Sequence, residues 1–577
     1  MYTAIISDNE KWVVKSRQII LQAISSMMNL FSGKAFLLFL SGVLCLTGCG
    51  GETDKSVPEL PEAIAGADFT EHINISIGFW DIQSMENVVT KDGIWQYIEE
   101  IFNITVTPVN LNWSDYNERY LIMGVSDSLP DIFPATTISG SSENNLLRLS
   151  DMIAGNMLTP LPEDLSGYPI VEETVNSLNS YIRHTDNKVY AFPRTAFSNQ
   201  ELTSSDAGML VRKDWMENLG IESPADLQEF IDMTAAFALQ DPDGNGINDT
   251  IGYNAGSRLA LGKWLILGIA PQCNVYTWVI ADGRYVPSYT LPAFTQVVIA
   301  YRRLYESGGL DPDFYRKKTS DSGYDFARGN LGALEYKTSP SALAEIKSYW
   351  DEFHDETEPF EEAVTYLNIF PAEDGICYSN SSSPFWSESL FSSGVDDNKM
   401  ERILYLYEYL MSDEGWYLTR YGLENEDYEI VNGTYRYLPD SPEGEIYNSL
   451  RAKYPSLSLF TNLASWGARD EDFEPNEMNN VRYGAAITNM ANEALQWNKE
   501  NTVMVERPCD FLHIYKESSG IFSTDSLMDE LTKVIIGEDD PVEMWNQVLQ
   551  DWYDNGLTEY IDFLNEQVNQ IGLTITE

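Results

Sequence analysis

The segment Asp241-Pro242-Asp243-Gly244-Asn245-Gly246-Ile247-Asn248-Asp249-Thr250 carries the sharpest pattern of chemistry-bearing groups in the chain. Side-chain oxygens stand at its first, third, fifth and ninth positions, on Asp241, Asp243, Asn245 and Asp249. Gly246 occupies the sixth, where the backbone must turn sharply, and the Ile247 carbonyl falls at the seventh. Alternating hard oxygen donors around a glycine turn suit a divalent cation of the Ca2+ type, so a structural Ca2+ is the expected cofactor. The twelfth position is Gly252, where a helix–loop–helix calcium loop carries a bidentate glutamate. Thr250 or water must then complete the shell. The alternative is an Asx-rich turn that holds no metal.

A second chemically loaded residue is Cys49. It closes Leu46-Thr47-Gly48-Cys49, directly behind an uncharged apolar stretch from Ala35 to Leu46 that follows Lys34. That stretch has the length of a signal-peptide core and is short for a membrane span. Small residues before a cysteine allow a peptidase to cut there and the thiol to accept a diacylglyceryl group, and the motif resembles a bacterial lipobox. Residues 1–48 are accordingly read as a signal peptide, with Met27 or Met28 as alternative starts, because the segment ahead of them has mixed charge. Residues 49–70 are read as the lipidated cysteine and a flexible tether. The expected location is extracytoplasmic, on the outer face of the cell membrane.

The third group of residues could hold an organic ligand. Trp80 and Asp81 end an alternating apolar run, and Asp131 and Phe133 stand in a similar setting. Arg194 and Phe197 follow another short run. Tyr336, Phe385, Trp386 and Trp466 are further candidates. Aromatic rings stack on the C–H faces of sugars, while carboxylates and guanidinium groups satisfy their hydroxyls. With 14 Trp and 33 Tyr, the chain has more such rings than a core requires. Each of these residues could equally be ordinary packing.

Ile73, Ile75 and Ile77 alternate as in a strand that ends at Trp80. Ile94, Trp95, Ile98, Ile101 and Phe102 then fall at helical spacing, and a second strand runs from Ile104 to Val109. Strand, helix and strand in this order predict a βαβ unit and a parallel sheet. Asn187 to Arg194 reads as a turn into a strand stopped by Pro193. Met209–Trp215 opens another strand-to-helix unit, and Ser223-Pro224 is the expected start of the helix carrying Phe230, Ile231 and Phe237. Beyond residue 400 the pattern is mostly helical.

A formal charge of −53 disfavours nucleic acid and anionic membranes as partners, while 43% hydrophobic residues exclude disorder. Three cysteines beyond Cys45 and Cys49, namely Cys273, Cys377 and Cys509, form neither a disulfide framework nor a zinc motif. No nucleophile elbow, zinc-protease helix or phosphate loop is present, so no catalytic residue is assigned and the chain is read as a non-enzyme.

Taken in order, several segments resemble a known family. They are the lipobox, Phe79-Trp80-Asp81, Leu129-Pro130-Asp131-Ile132-Phe133, Lys188–Pro193, Val211–Gly220, the Asp241–Thr250 loop, Gly309–Phe314, Ser412–Gly415 and Tyr421–Glu424. The chain is similar to the family 1 extracellular solute-binding proteins of ABC importers, in the large lipoprotein branch that includes calcium-containing oligosaccharide binders. The resemblance covers about residues 70 to 430. It implies an α/β, two-lobed periplasmic-binding-protein-like fold of class II with a hinge, an interlobe cleft and a helix-rich C-terminal part. Lobe 1 is expected to comprise 71–195 plus about 336–400, and lobe 2 about 196–335 plus 401–577. The ligand implied is an oligosaccharide and the partners are ABC permease subunits, the protein acting as a monomer. A peptide or signalling-molecule receptor, or a surface glycoside-active enzyme, are the rival readings. The family's calcium loop maps onto Asp241, Asp243, Asn245, the Ile247 carbonyl and Asp249, with Thr250 where calcium-containing members carry an acid.

Overall fold

The alternation that begins at Ile73 does make a strand, Ile73–Trp80, with Ile75 and Ile77 fully buried on one side. The computed structural model describes residues 60–570 apart from 81–90, 114, 139–147, 185, 256–261, 274–277, 318, 356, 439–443, 445 and 506–518. The expected signal segment, Cys49, Asp81 and the Trp466 side chain lie outside the described residues.

Helix Gly93–Phe102 follows, started by the Asp92 carboxylate accepting the Trp95 N–H and ended by Asn103 in the left-handed region (φ 45°). Its buried face is Ile94, Trp95, Ile98, Ile101 and Phe102, the stripe the spacing predicts. Strand Ile104–Leu111 then pairs in parallel with Ile73–Trp80 from Ile73–Ile104 to Trp80–Leu111, completing the βαβ unit.

The first sheet has six strands in the order Ser465–Ala468, Ala191–Phe197, Phe385–Phe391, Ile132–Ala135, Ile73–Trp80, Ile104–Leu111. All run the same way except Phe385–Phe391, which is antiparallel to both its neighbours. A second sheet orders Val364–Leu367, Gly208–Arg212, Leu331–Tyr336 and Ile251–Asn254. The first sheet is the centre of one apolar core, drawn from Ile64 to Phe192 and from Phe385 to Ala464. The second is flanked by two cores drawn from Leu202 to Phe370 and from Phe473 to Val568. Two lobes result, and the chain passes between them three times, after Phe197, before Phe385 and after Ala468.

The lobe boundaries differ from the expected ones. Leu343, Ile346, Trp350 and Phe360 pack in the second lobe, and Ile403, Tyr407, Leu450 and Phe460 in the first. The cause is the return of the chain at Phe385, which brings the helices Asp397–Met411 and Asp413–Tyr421 back onto the first sheet before the last crossover.

Two local expectations also shift. The strand Ala191–Phe197 runs through Pro193 instead of stopping there. Its partner strand has a register irregularity between Phe385 and Glu388, where a residue without an N–H is tolerated. The helix expected at Ser223-Pro224 starts later, at Leu227–Leu239. Asp226 accepts the Glu229 N–H at 2.9 Å while Glu229 accepts the Ala225 N–H at 2.8 Å, a stronger start signal than Ser-Pro. Among the described residues no helix is long and apolar enough to cross a membrane.

Candidate functional site

The direction of the strands settles which edge of each sheet faces the other lobe. Strands Ala191–Phe197 and Ser465–Ala468 leave for the second lobe from their C-terminal ends, and the antiparallel strand Phe385–Phe391 arrives at its N-terminal end. All three crossovers therefore meet the first sheet at the edge where Ile73–Trp80 and Ile104–Leu111 finish. Ligands of open α/β sheets collect at such carboxyl-terminal edges.

Four large rings gather there. Trp80 closes its strand, and Trp113 follows two residues after the neighbouring strand ends at Leu111, so their rings meet edge to face with centroids 4.8 Å apart. Tyr116, at the start of helix Tyr116–Val125, stacks behind Trp113 at 5.4 Å, and Trp386 lies 5.7 Å from Trp113 and 5.6 Å from Trp80. Trp80 and Tyr116 are buried, Trp386 is half-buried and Trp113 is 47% exposed. Trp113 and Trp386 thus offer ring surface, while Trp80 and Tyr116 hold them upright.

The platform rests on a buried polar floor. Arg194 is fully buried, its guanidinium carbon 5.3 Å from the Phe79 ring centre and 5.7 Å from that of Trp80, and it donates to Ser387 Oγ at 2.7 Å. Burial pushes its pKa down to about 10, offset by Tyr407, Glu388 and Tyr120. Glu388, also fully buried, accepts the Thr137 hydroxyl at 2.8 Å and the Ile138 N–H at 2.7 Å. Tyr116 and Thr136 hydroxyls share a 2.6 Å hydrogen bond, which ties the platform to the end of strand Ile132–Ala135.

Of the residues singled out in the sequence, Trp80, Trp386 and Arg194 come together, with Arg194 beneath the rings. Phe133 and Phe385 are fully buried in the first core. Asp131 stands at the start of its strand, on the edge away from the crossovers. There it accepts the Ser76 N–H and hydroxyl and pairs with Lys399 at 2.7 Å. The segment Leu129–Phe133 opens a strand where the sequence suggested the close of one. Phe197 is half-buried against the second lobe's core. Tyr336 ends strand Leu331–Tyr336 at the second sheet's crossover edge, its hydroxyl donating to Glu345. Trp113 and Tyr116 were missed. Extending the second strand from Val109 to Leu111 would have delivered Trp113 by the logic that found Trp80.

A charged cluster lies at the crossovers. Asp206 pairs with Lys263 at 3.2 Å and Lys337 at 3.1 Å and accepts the Ser382 hydroxyl at 2.8 Å. The two lysines outweigh burial and hold its carboxyl well below the usual carboxylate range. Close by, Glu335 accepts the Trp264 N–H at 2.8 Å, and burial pushes its carboxyl up to about 7.

The Asp241–Thr250 loop is closed by its own oxygens. Asp241 has φ 48°, and Gly244 and Gly246 have φ 70° and 85°, which their lack of a Cβ permits. Gly246 N–H donates to Asp241 Oδ2 at 3.0 Å and Ile247 N–H to Asn245 Oδ1 at 2.7 Å. The Asn245 amide nitrogen bridges Asp243 at 2.9 Å and Asp249 at 3.2 Å, while Asp241 Oδ1 is buried without a hydrogen-bond partner. Among the described residues no group of three Asp, Glu, His or Cys side chains is set to hold a metal. Yet the all-oxygen donors fit a hard cation, which would take the place of the Asn245 amide between the carboxylates. Thr250 does not belong to this set: it is buried and its hydroxyl donates to the Phe237 carbonyl at 2.6 Å, closing the preceding helix.

No family model matches the chain. Lipoprotein LipO of Bacillus subtilis (strain 168) is 22% identical over 518 residues, 85% of this chain and 94% of that protein. The polygalacturonan/rhamnogalacturonan-binding protein YtcQ of the same strain is 26% identical over 302 residues, 51% of this chain and 54% of its own length. Among solved structures, the S. pneumoniae ABC-transporter substrate binding protein FusA in complex with kestose aligns at TM-score 0.61 over 87% of this chain and 99% of that chain, with 14% identity. An EF-hand mutant of FusA in complex with fructo-nystose gives 0.60 over 87% and 99%, with 15% identity.

Proposed function

We propose that this chain, which has the two-lobed fold of the ABC-transporter solute-binding proteins, captures an oligosaccharide between its lobes and delivers it to the permease subunits of an importer. The observation that carries the reading is the Trp113–Trp386 platform at the crossover edge of the first sheet. Its exposed ring faces suit the apolar C–H faces of a sugar. Buried rings and the Arg194–Glu388 floor hold the platform in place, and a pre-formed surface loses little entropy when it binds. Tyr336 would meet the ligand from the second lobe, and closure would follow as a hinge motion about the crossovers. Glu388, in the floor of the platform, is buried and committed to two donors, and we read the site as binding without catalysis.

The lipid anchor is part of the same reading. Acylation of Cys49 would keep the binder beside its importer, and a second acyl chain would make the attachment durable. Ca2+ would be held by Asp241, Asp243, Asn245, Asp249 and the Ile247 carbonyl. It would offset most of the charge of the three carboxylates there and pin the loop.

Thermal-shift and calorimetric titration against a panel of oligosaccharides and peptides tests the function. A rise in Tm with at least one oligosaccharide, lost on Trp113→Ala, is expected. Stabilisation by peptides alone would refute it.

A further inference from the structure

Two features of the first lobe lie close together. The first is where the tether joins the body. Ile64, in the single turn Glu62–Ile64, is buried in the first core, and the Glu62 N–H donates to Glu414 at 3.4 Å. The second is a hairpin. Strands Tyr428–Val431 and Thr434–Tyr437 pair across Asn432-Gly433, both with positive φ (55° and 81°) as the tight turn requires. Tyr435 stacks on Tyr417 with centroids 4.4 Å apart. Tyr417 sits one helical turn from Glu414 on helix Asp413–Tyr421. Hairpin and tether docking point are therefore neighbours.

The hairpin's tip is apolar where a solvated turn would be polar. Ile430 and Val431 are each 45% exposed, and Tyr435 beside them is half-exposed. From Ile430 to Tyr435 there is no charged side chain, and the next cross-strand pair, Glu429 with Arg436, is neutral in sum. Aliphatic residues flanked by tyrosines suit the boundary between headgroups and acyl chains.

We propose that this hairpin rests its tip on the bilayer beside the lipid anchor, as a second, weak membrane contact. The proposal depends on the acylation of Cys49 proposed above. From Cys49 to Leu60 the chain can span at most about 40 Å, so the tip is confined to the membrane's vicinity. Tethering over such a length gives an effective concentration of order mM, at which even a weak apolar contact is populated. The acidic surface makes a zwitterionic bilayer the appropriate probe.

The test is hydrogen exchange on the acylated full mature chain in phosphatidylcholine nanodiscs. The same chain carrying Cys49→Ser, added to the same discs, is the reference. Half-time occupancy slows the amides of residues 430–434 by about twofold or more. The Asp241–Thr250 loop should be unaffected, and Ile430→Ser with Val431→Ser should abolish the slowing. An acylated, disc-bound chain with unchanged hairpin exchange overturns the membrane contact alone. Slowing that appears only when permease subunits share the disc also overturns it, assigning the tip to a protein partner. Absence of acyl mass on Cys49 overturns the anchoring reading, and the hairpin proposal with it.

Discussion

Glu335 makes a quantitative prediction. It is the penultimate residue of strand Leu331–Tyr336, 8% exposed, with its carboxylate receiving the Trp264 N–H at the start of helix Lys263–Leu267. Burial dominates over that hydrogen bond and over Lys263, so the carboxyl rises from 4.5 to about 7. The folded protein therefore prefers the protonated form. The associated stability is fully present below pH 4.5 and is lost as pH rises through 7. Between pH 5 and pH 8 the loss is about 2.5 kcal/mol. Glu335→Gln is neutral at every pH and accepts the same N–H. Its fixed effect on stability, of either sign, cancels when the two pH values are compared. Urea unfolding at pH 5 and pH 8 should show the wild type losing about 2.5 kcal/mol more than the variant. Parallel pH profiles would mean that Glu335 titrates normally, and the burial argument would be wrong.

Trp113→Ala should weaken the best oligosaccharide by roughly ten- to hundredfold, the effect of removing a central aromatic contact. Its Tm should stay near wild type, because the ring is half in solvent, and calorimetric titration separates the two effects. Ca2+ at a hundred times its Kd should add about 2.7 kcal/mol of stability and EDTA should remove it. Asp241→Asn should abolish both responses in a thermal melt, and a melt indifferent to Ca2+ and EDTA would leave the loop a metal-free turn. Asp206→Asn should cost about 2–4 kcal/mol, since it leaves Lys263 and Lys337 without their shared, largely buried partner. The Asp206 carboxyl is depressed, so its contribution is present above about pH 4 and fades on acidification. Stability curves of wild type and variant should therefore converge at low pH.

The periodic features were legible in the sequence and the directional ones were not. Ile73, Ile75 and Ile77, and the stripe from Ile94 to Phe102, announce their elements because one face of each meets the core. Asp131 shows the limit. A proline, a carboxylate and two apolar residues mark a strand boundary without saying whether the strand is entered or left. Asp131 consequently went to the wrong edge, where it serves Ser76 and Lys399. Phe133 and Phe385 fail for a related reason: residues beside a strand end alternate between the cleft and the core, and these two point inward. The Arg194–Glu388 floor was beyond local reading altogether. Its members are brought together by the antiparallel return of the chain from the second lobe. The Asp241–Thr250 loop was the most legible pattern of all, because its oxygen-bearing residues lie within one short segment. Even there Thr250 was misassigned, since its carbonyl partner Phe237 belongs to the preceding helix.

That antiparallel return also determines where the molecule can bend. The first two crossovers are tied to each other by Gln200 with Ser381 at 2.7 Å and Ser382 with Asp206 at 2.8 Å. They are tied to the second lobe by Lys263 and Lys337 on Asp206 and by the Thr338 N–H on the Ser205 carbonyl. Lys499, on second-lobe helix Ala485–Asn501, joins Glu201 of the first crossover to Asp470 of the third. Towards the first sheet, backbone bonds join the crossovers, Ala196 N–H to the Pro384 carbonyl and Ser198 N–H to the Ala468 carbonyl, and the third is also held to the first lobe by side chains, Trp416 and Arg420 donating to the Gly467 carbonyl and Arg469 pairing with Asp413. At the first two crossovers few charged side chains must be unpaired for the backbone to turn there, whereas bending further along would break the contacts of Asp206 and Lys499. A bend close to Phe197 and Pro384, at the foot of the platform, is the one these contacts would oppose least. A small rotation there changes the angle between the rings and the second lobe with little loss of packing in either core. Closure about such a bend would be coupled to the site where a ligand can drive it.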